Sequence, residues 1–265
     1  MNEQLSLLRH RVSSPSAFTP EALVTAVRTG RTMDAISVPP ICVLDFDGDL
    51  TDWLLKSGLT QPHPGWACFH TTMHAFQVDG MECGLIARTI GGPYAVLVAE
   101  QLHVSGAQVI VGLTSAGRVT PSLPLPSLVI ATSAIRDEGT SYHYLPAADV
   151  VAAPSKLANE MHRGLQGLNL PVSQGLVWTT DAPYRETVEE LEENFTKGAL
   201  AVEMQAALLF AFASARHANV AVVAHVTNAI DQTRAPFDKG SDEHGWETVQ
   251  AMCRASRAFL DKSPG

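Results

Sequence analysis

Apolar and polar positions along the chain fall into two periods. Short, nearly continuous apolar runs bounded by Gly, Pro, Asp or Ser predict buried strands. They are "ICVLDF" (41–46), "QVIVGL" (108–113), "LPSLVIATSAI" (125–135), "QGLVWTTD" (174–181) and "NVAVVAHVTNAI" (219–230, with its exit loop). Stretches with apolar residues every three or four positions predict helices between them. These are "TPEALVTAVRTG" (19–30), "GGPYAVLVAEQLHVSGA" (91–107, closing on Gly106), "PSKLANEMHRGLQGLN" (154–169), "YRETVEELEENFTKG" (184–198, acidic and exposed) and the amphipathic "DEHGWETVQAMCRASRAFLDK" (242–262). In the first helix Thr19 is placed to cap, Pro20 to start and Gly30 to stop. "ALAVEMQAALLFAFA" (199–213) predicts a long buried helix running to about Arg216. Residues 65–92 predict two or three strands with a hairpin turn at Asp79-Gly80. Strands alternating with helices imply an α/β sheet covered on both faces. Ligands of such sheets sit in the loops after the carboxyl ends of the strands. Those loops here are "DFDGDL", "LTSAGRV", "SAIRDEGTSYHYLP", "TTDAPYRET" and "VTNAID".

Composition narrows the class. Of 265 residues 46% are hydrophobic and 17% charged, which suits a large core. With no repeat, low-complexity tract or clear linker, one domain over 1–265 is expected, with 1–40 as an N-terminal extension holding a short helix. The net charge of −9, without a Lys/Arg block, argues against a nucleic-acid surface. The four cysteines show no C-x-x-C pair and no metal spacing, and read as reduced, mostly buried thiols. No metal site is expected. "MNEQLSLLRHRVSSPS" has no long apolar run and does not read as a signal peptide. No uncharged span reaches membrane length. The expectation is a cytoplasmic protein that meets neither membrane nor nucleic acid.

Five segments, "IARTIGGPYAVLVAEQL", "VGLTSAGRV", "IRDEGTSYHYLP", "TTDAPYRET" and "AVEMQAALLFAFA", resemble, in this order and spacing, the nucleoside phosphorylase family. The branch is that of uridine phosphorylase and the hexameric purine nucleoside phosphorylases. The resemblance covers roughly residues 41–229. It implies a three-layer α/β/α sandwich around a distorted mixed β-sheet. It implies homo-oligomers built from dimers, as trimers or hexamers. It also implies cleavage of a nucleoside N-glycosidic bond, with inorganic phosphate as co-substrate and no other cofactor.

The same resemblance assigns residues, and several depart from the pattern. Similar sequences follow a Gly-Asp turn with an arginine four residues after the glycine. Here Gly48-Asp49 is followed by Asp52. A second arginine is expected where Ile110 and Val111 stand. Thr114, Ser115, Ala116 and Gly117 keep neutral donors for an anion, and a shifted Arg88 or Arg118 is the alternative source of charge. Without those cations, water could replace phosphate, with Asp52 or Asp49 as general base. A non-catalytic nucleoside binder is a further reading. On the sugar side, Met204 matches a residue that stacks on ribose, and Gln205 replaces a glutamate that binds its hydroxyls. An amide can still bond a diol, but without charge assistance. Residues alone allow Glu203 and Gln205 to be mere caps of a core helix. Thr227-Asn228 matches the base-contact pair, where a purine enzyme carries a proton-donating Asp. Asn228 cannot donate a proton in that way, which favours uracil or a 6-oxopurine. It also fits an Asx turn. Pro183 stands where a stacking Phe is usual, leaving Tyr184 for that task. Arg185 would reach a base carbonyl or pair with the acidic helix. Arg136 and His143 line the site or hold their own loop.

Overall fold

The computed structural model describes residues 6–229 and 242–262. Ten strands run β1 Ile41–Asp45, β2 Gln61–Pro62, β3 His74–Val78, β4 Met81–Ala87, β5 Val109–Arg118, β6 Ser127–Asp137, β7 Val150–Ala152, β8 Val172–Thr180, β9 Ala201–Glu203 and β10 Asn219–Ala229. Seven α-helices are described: α1 Pro20–Arg31, α2 Asp49–Lys56, α3 Gly92–Val104, α4 Ser155–Leu165, α5 Val188–Thr196, α6 Ala206–Arg216 and α7 Asp242–Lys262.

One mixed sheet holds all ten strands. Its open arm is β2-β3-β4-β1-β5, with β1 parallel to both β4 and β5. Beyond β5 the sheet curls into a ring. β5 pairs with β10 and β9, β9 with β8, β8 with β6, and β6 returns to β10. This closure is the distortion of the mixed sheet. Helices cover it in two groups. α6 packs on α3, with α1 outside α3, while α7 packs on α4 and α2. No helix among the described residues is long and apolar enough to cross a membrane. All four cysteines are free and buried.

Local chemistry explains the elements that matched expectation. β1 is buried at every position, as a strand inside a parallel sheet must be. Thr19 caps α1 by accepting from the Ala22 amide. Asp79 and Gly80 both have positive φ, 50° and 77°, the two-residue turn that matches strand twist. α5 carries a full capping box between Thr187 and Glu190.

Five expectations were corrected. α1 passes through Gly30 and ends at Arg31, where Thr32 takes the left-handed cap. "LTSAGRV" is not a loop, because β5 extends to Arg118 along the full length of β10. Residues 199–205 are not helix. Ala201–Glu203 is a strand wedged between β8 and β5, and α6 starts at Ala206. A short apolar run fits strand or helix equally well by periodicity, and here two strand neighbours decide it. The expected loop "DFDGDL" gives way at Asp49 to helix α2, which was not foreseen. β2 and β7 were not foreseen either; they are short edge pairings.

The sheet packs tightly where β1 meets β5. A Cβ at Gly112 would lie 2.6 Å from the buried Phe46 ring. Gly112→Ala is therefore expected to cost about 1–3 kcal/mol, because a core ring cannot retreat freely. Denaturant unfolding of the variant checks it, and an unchanged midpoint would contradict this packing.

Candidate active site

The carboxyl ends of β5, β9 and β10 meet at one corner of the ring. A cleft of about 350 Å³ opens there, lined by Ser115, Ala116, Gly117, Pro183, Glu186, Val202, Glu203, Met204, Asn228 and Ala229. The register explains why Asn228 belongs to it. Val226 lies opposite Ala116 but Asn228 lies opposite Gly117, so Thr227 is an extra residue in β10. Such a bulge re-aims the side chain that follows it. The Asn228 amide donates to the Thr227 hydroxyl at 2.9 Å.

Glu203 ends β9 and is only 4% exposed. Its carboxylate accepts from the Thr179 hydroxyl and from the amides of Gln205 and Ala206, the latter at 2.9 Å. It therefore satisfies free N–H groups at the start of α6, the end of a helix that favours negative charge. Burial nevertheless pushes its carboxyl up to about 7, with Glu138 adding repulsion. Met204 follows on the cleft wall. Gln205 is 1% exposed and lies behind that wall. Its Oε1 accepts from the Met204 amide at 3.3 Å and stands 3.0 Å from the Thr114 hydroxyl.

The turn after β1 forms an adjoining acidic corner. Asp45 is buried and holds the turn by accepting from the Gly48 and Thr51 amides and the Thr51 hydroxyl. Asp47 reaches the cleft edge, where its Oδ2 accepts from the Ser115 amide at 3.2 Å. Asp52, on the first turn of α2, pairs with Arg88. Arg88 has φ 57°, and its N–H donates to the Asp45 carbonyl at 2.9 Å. Its side chain lies across Gly48, where a Cβ would come 2.6 Å from Arg88 Cγ. Gly48 has φ +86°, so both backbone and space require glycine there. The carboxylates of Asp52, Asp45 and Asp49 all act on this guanidinium, and Asp47 adds a fourth carboxylate to the turn.

The structure thus brings Ser115, Ala116, Gly117, Glu203, Met204 and Asn228 to one cleft, with Thr227 beside it and Thr114 and Gln205 bonded behind it. Gly48 and Asp52 occupy the adjoining corner, and Asp52 does not line the cleft. Tyr184 is 100% exposed, Arg185 is exposed as well, and neither lines the cleft. Arg118 bonds to the Leu123 carbonyl at 3.3 Å, away from the corner. Arg136 holds its own loop through Ser141 and the Pro146 carbonyl, both at 2.7 Å. His143 stacks on His10 at 3.7 Å in a separate cavity of about 510 Å³. Among the described residues no three His, Cys, Asp or Glu side chains converge to hold a metal.

Two residues, Asp47 and Glu186, escaped the sequence reading. Asp47 acts through a contact that only the folded turn creates, and the same turn sets Arg88, expected as an alternative source of charge, against Asp52. Glu186 stands between an exposed turn and an acidic helix, and nothing in the local pattern separates it from the carboxylates that follow. Burial, then Glu190 and Asp137, push its carboxyl up to about 7. A carboxyl raised in the folded state contributes stability that is complete below about pH 4.5 and is lost as pH rises through 7. Glu186→Gln escapes that loss. It is expected to melt about 1–2 °C above the parent at pH 8 and level with it at pH 4.5, a small gain because the group is half exposed. Thermal melts at the two pH values check this.

Residues 40–261 match the family model described as the phosphorylase superfamily. An uncharacterized protein, R802, of Acanthamoeba polyphaga mimivirus is 29% identical over 147 residues, 56% of this chain. The chain spans little more than half (57%) of that protein's length. A guanosine phosphorylase of Halorubrum lacusprofundi is 26% identical over 180 residues, covering 66% of this chain and 74% of that protein. Among solved structures, uridine phosphorylase from Vibrio fischeri ES114 superposes with a TM-score of 0.66 at 22% identity, over 86% of this chain and 91% of that one.

Proposed function

The chain belongs to the phosphorylase superfamily, and we propose that it cleaves the N-glycosidic bond of a nucleoside with a uracil-like or 6-oxopurine base. One observation carries this reading. Three segments far apart in the chain deliver Ser115–Gly117, Glu203–Met204 and Asn228 to a single cleft at the strand ends. Met204 offers an apolar face for the sugar, and Asn228 offers an amide that both donates to and accepts from a base edge. The relatives named guanosine phosphorylase and uridine phosphorylase agree with such bases. Phosphate is the family's default nucleophile, entering beside Ser115 and Gly48, with Arg88 as its cation.

Hydrolysis is a second reading, favoured by the acidic corner. The Ser115 amide is already bonded to Asp47, and Arg88 to Asp52. A dianion must displace both partners, whereas water need not.

Purified protein incubated with uridine, inosine, guanosine and adenosine, with and without phosphate, tests the proposal. Ribose 1-phosphate formed only with phosphate identifies phosphorolysis. Free ribose without phosphate identifies hydrolysis. No cleavage of any nucleoside overturns the proposal, and a ligand-dependent rise in melting temperature would then mark a binder.

A further inference from the structure

Cleavage of an N-glycosidic bond leaves the base holding the electron pair of the broken bond. A neutral departing base therefore needs a proton. Asn228 has no proton to release at neutral pH. Among the described residues two carboxyls line the cleft, Glu186 and Glu203. Glu203 is committed, with the Thr179 hydroxyl on one oxygen and two helix amides on the other. Glu186 makes no hydrogen bond among the described residues. It follows the short turn Pro183–Arg185 and is half-buried on the wall that also carries Pro183, Met204 and Asn228. We propose that Glu186 is the acid that protonates the departing base, a catalytic role resting on the N-glycosidic cleavage proposed above.

The step balances without a further reagent. The C1′–N bond breaks and its pair moves into the base. The Glu186 O–H bond breaks and its proton passes to a ring nitrogen or carbonyl oxygen of the base. An oxygen of phosphate or water bonds to C1′. The nucleophile's own proton is released to solvent, and the Glu186 carboxylate takes one back.

The surroundings suit an acid that works near neutrality. Burial and the carboxylates of Glu190 on α5 and Asp137 at the end of β6 disfavour its charged form. Asp137 is fixed there by the Trp178 indole N–H, at 3.0 Å. Glu203 also lines the cleft, and the neighbouring cation Arg185 is exposed. The carboxyl at about 7 is well matched to proton transfer at cellular pH.

Glu186→Gln tests the role with two kinds of substrate. Uridine, inosine and guanosine leave as bases that need a proton. The p-nitrophenyl β-D-ribofuranoside leaves as a stable phenolate and needs none. The variant is expected to lose about 10²–10³-fold in kcat on whichever nucleosides the parent cleaves, and to stay within about threefold on the nitrophenyl riboside. The parent's nucleoside rate falls as pH rises through 7, and the variant loses that limb. Equal losses on both substrates, or no loss on nucleosides, overturn the assignment. A parent that cleaves neither substrate overturns the reaction and the acid with it, a result visible without the variant. An undiminished melting temperature shows that Glu186→Gln folds.

Discussion

Replacing Glu203 by alanine is expected to lower the melting temperature by roughly 6–12 °C, an effect of about 3 kcal/mol. Three donors now converge on this carboxylate: the Thr179 hydroxyl and the amides of Gln205 and Ala206. Alanine removes their acceptor and leaves a void beside the fully buried start of α6. Met204 and Gln205 hang between Glu203 and that helix, so turnover should fall at least about 10²-fold from misplacement alone. Glu203→Gln separates charge from geometry. Its carbonyl can keep the two amides, and its NH₂ can face Thr179. A carboxyl raised to about 7 contributes stability that is complete below its ordinary value of 4.5 and is lost as pH rises through 7. The glutamine variant should therefore gain on the parent between pH 5 and 8. Melting curves of parent, alanine and glutamine forms across that range decide it. A parent–glutamine gap that does not move with pH would show that Glu203 does not titrate there.

The longer strands, the helices other than α2 and their order were legible because each carries its own signal. Thr19, the Asp79-Gly80 turn and the Thr187–Glu190 box act within a few residues of themselves. The segment 199–205 was not legible, because "ALAVEMQ" has no periodicity long enough to tell strand from helix. Its state is set by pairing to Trp178 and Gly117, which are distant in sequence. The bulge at Thr227 is equally silent, since one extra residue shows only against a partner strand. The cleft was half legible. Met204 and Asn228 stood in recognisable segments, whereas Glu186 hid in a run of carboxylates. Asp52 was visible as a departure, but its meaning was not, because its partner Arg88 lies 36 positions away. A carboxylate read alone suggests a general base. Paired with a guanidinium it becomes a holder of charge.

That pairing gives two substitutions with opposite outcomes. Arg88 lies across Gly48, at the turn whose Asp47 holds the Ser115 amide. In a phosphorolytic site Asp52 would compete with phosphate for that guanidinium. If phosphate is the nucleophile, Arg88→Ala removes a charge-assisted bond of about 2 kcal/mol, so the phosphate concentration for half-maximal rate should rise roughly 30-fold. Asp52→Ala should lower that concentration, because it frees the guanidinium and removes one of four carboxylates from the corner. The pair is solvent-exposed, at 59% and 41% of the two side chains, so the gain from Asp52→Ala stays within about tenfold. Neither change should move the KM for nucleoside, since neither residue lines the cleft. If water is the nucleophile, phosphate has no effect on the parent or on either variant. In that case a collapse of turnover in Asp52→Ala, with the nucleoside KM held, identifies Asp52 as the base that activates water. Initial rates against phosphate for the three proteins separate these outcomes. A lower phosphate requirement in Arg88→Ala would show that the cation is not part of the nucleophile's site.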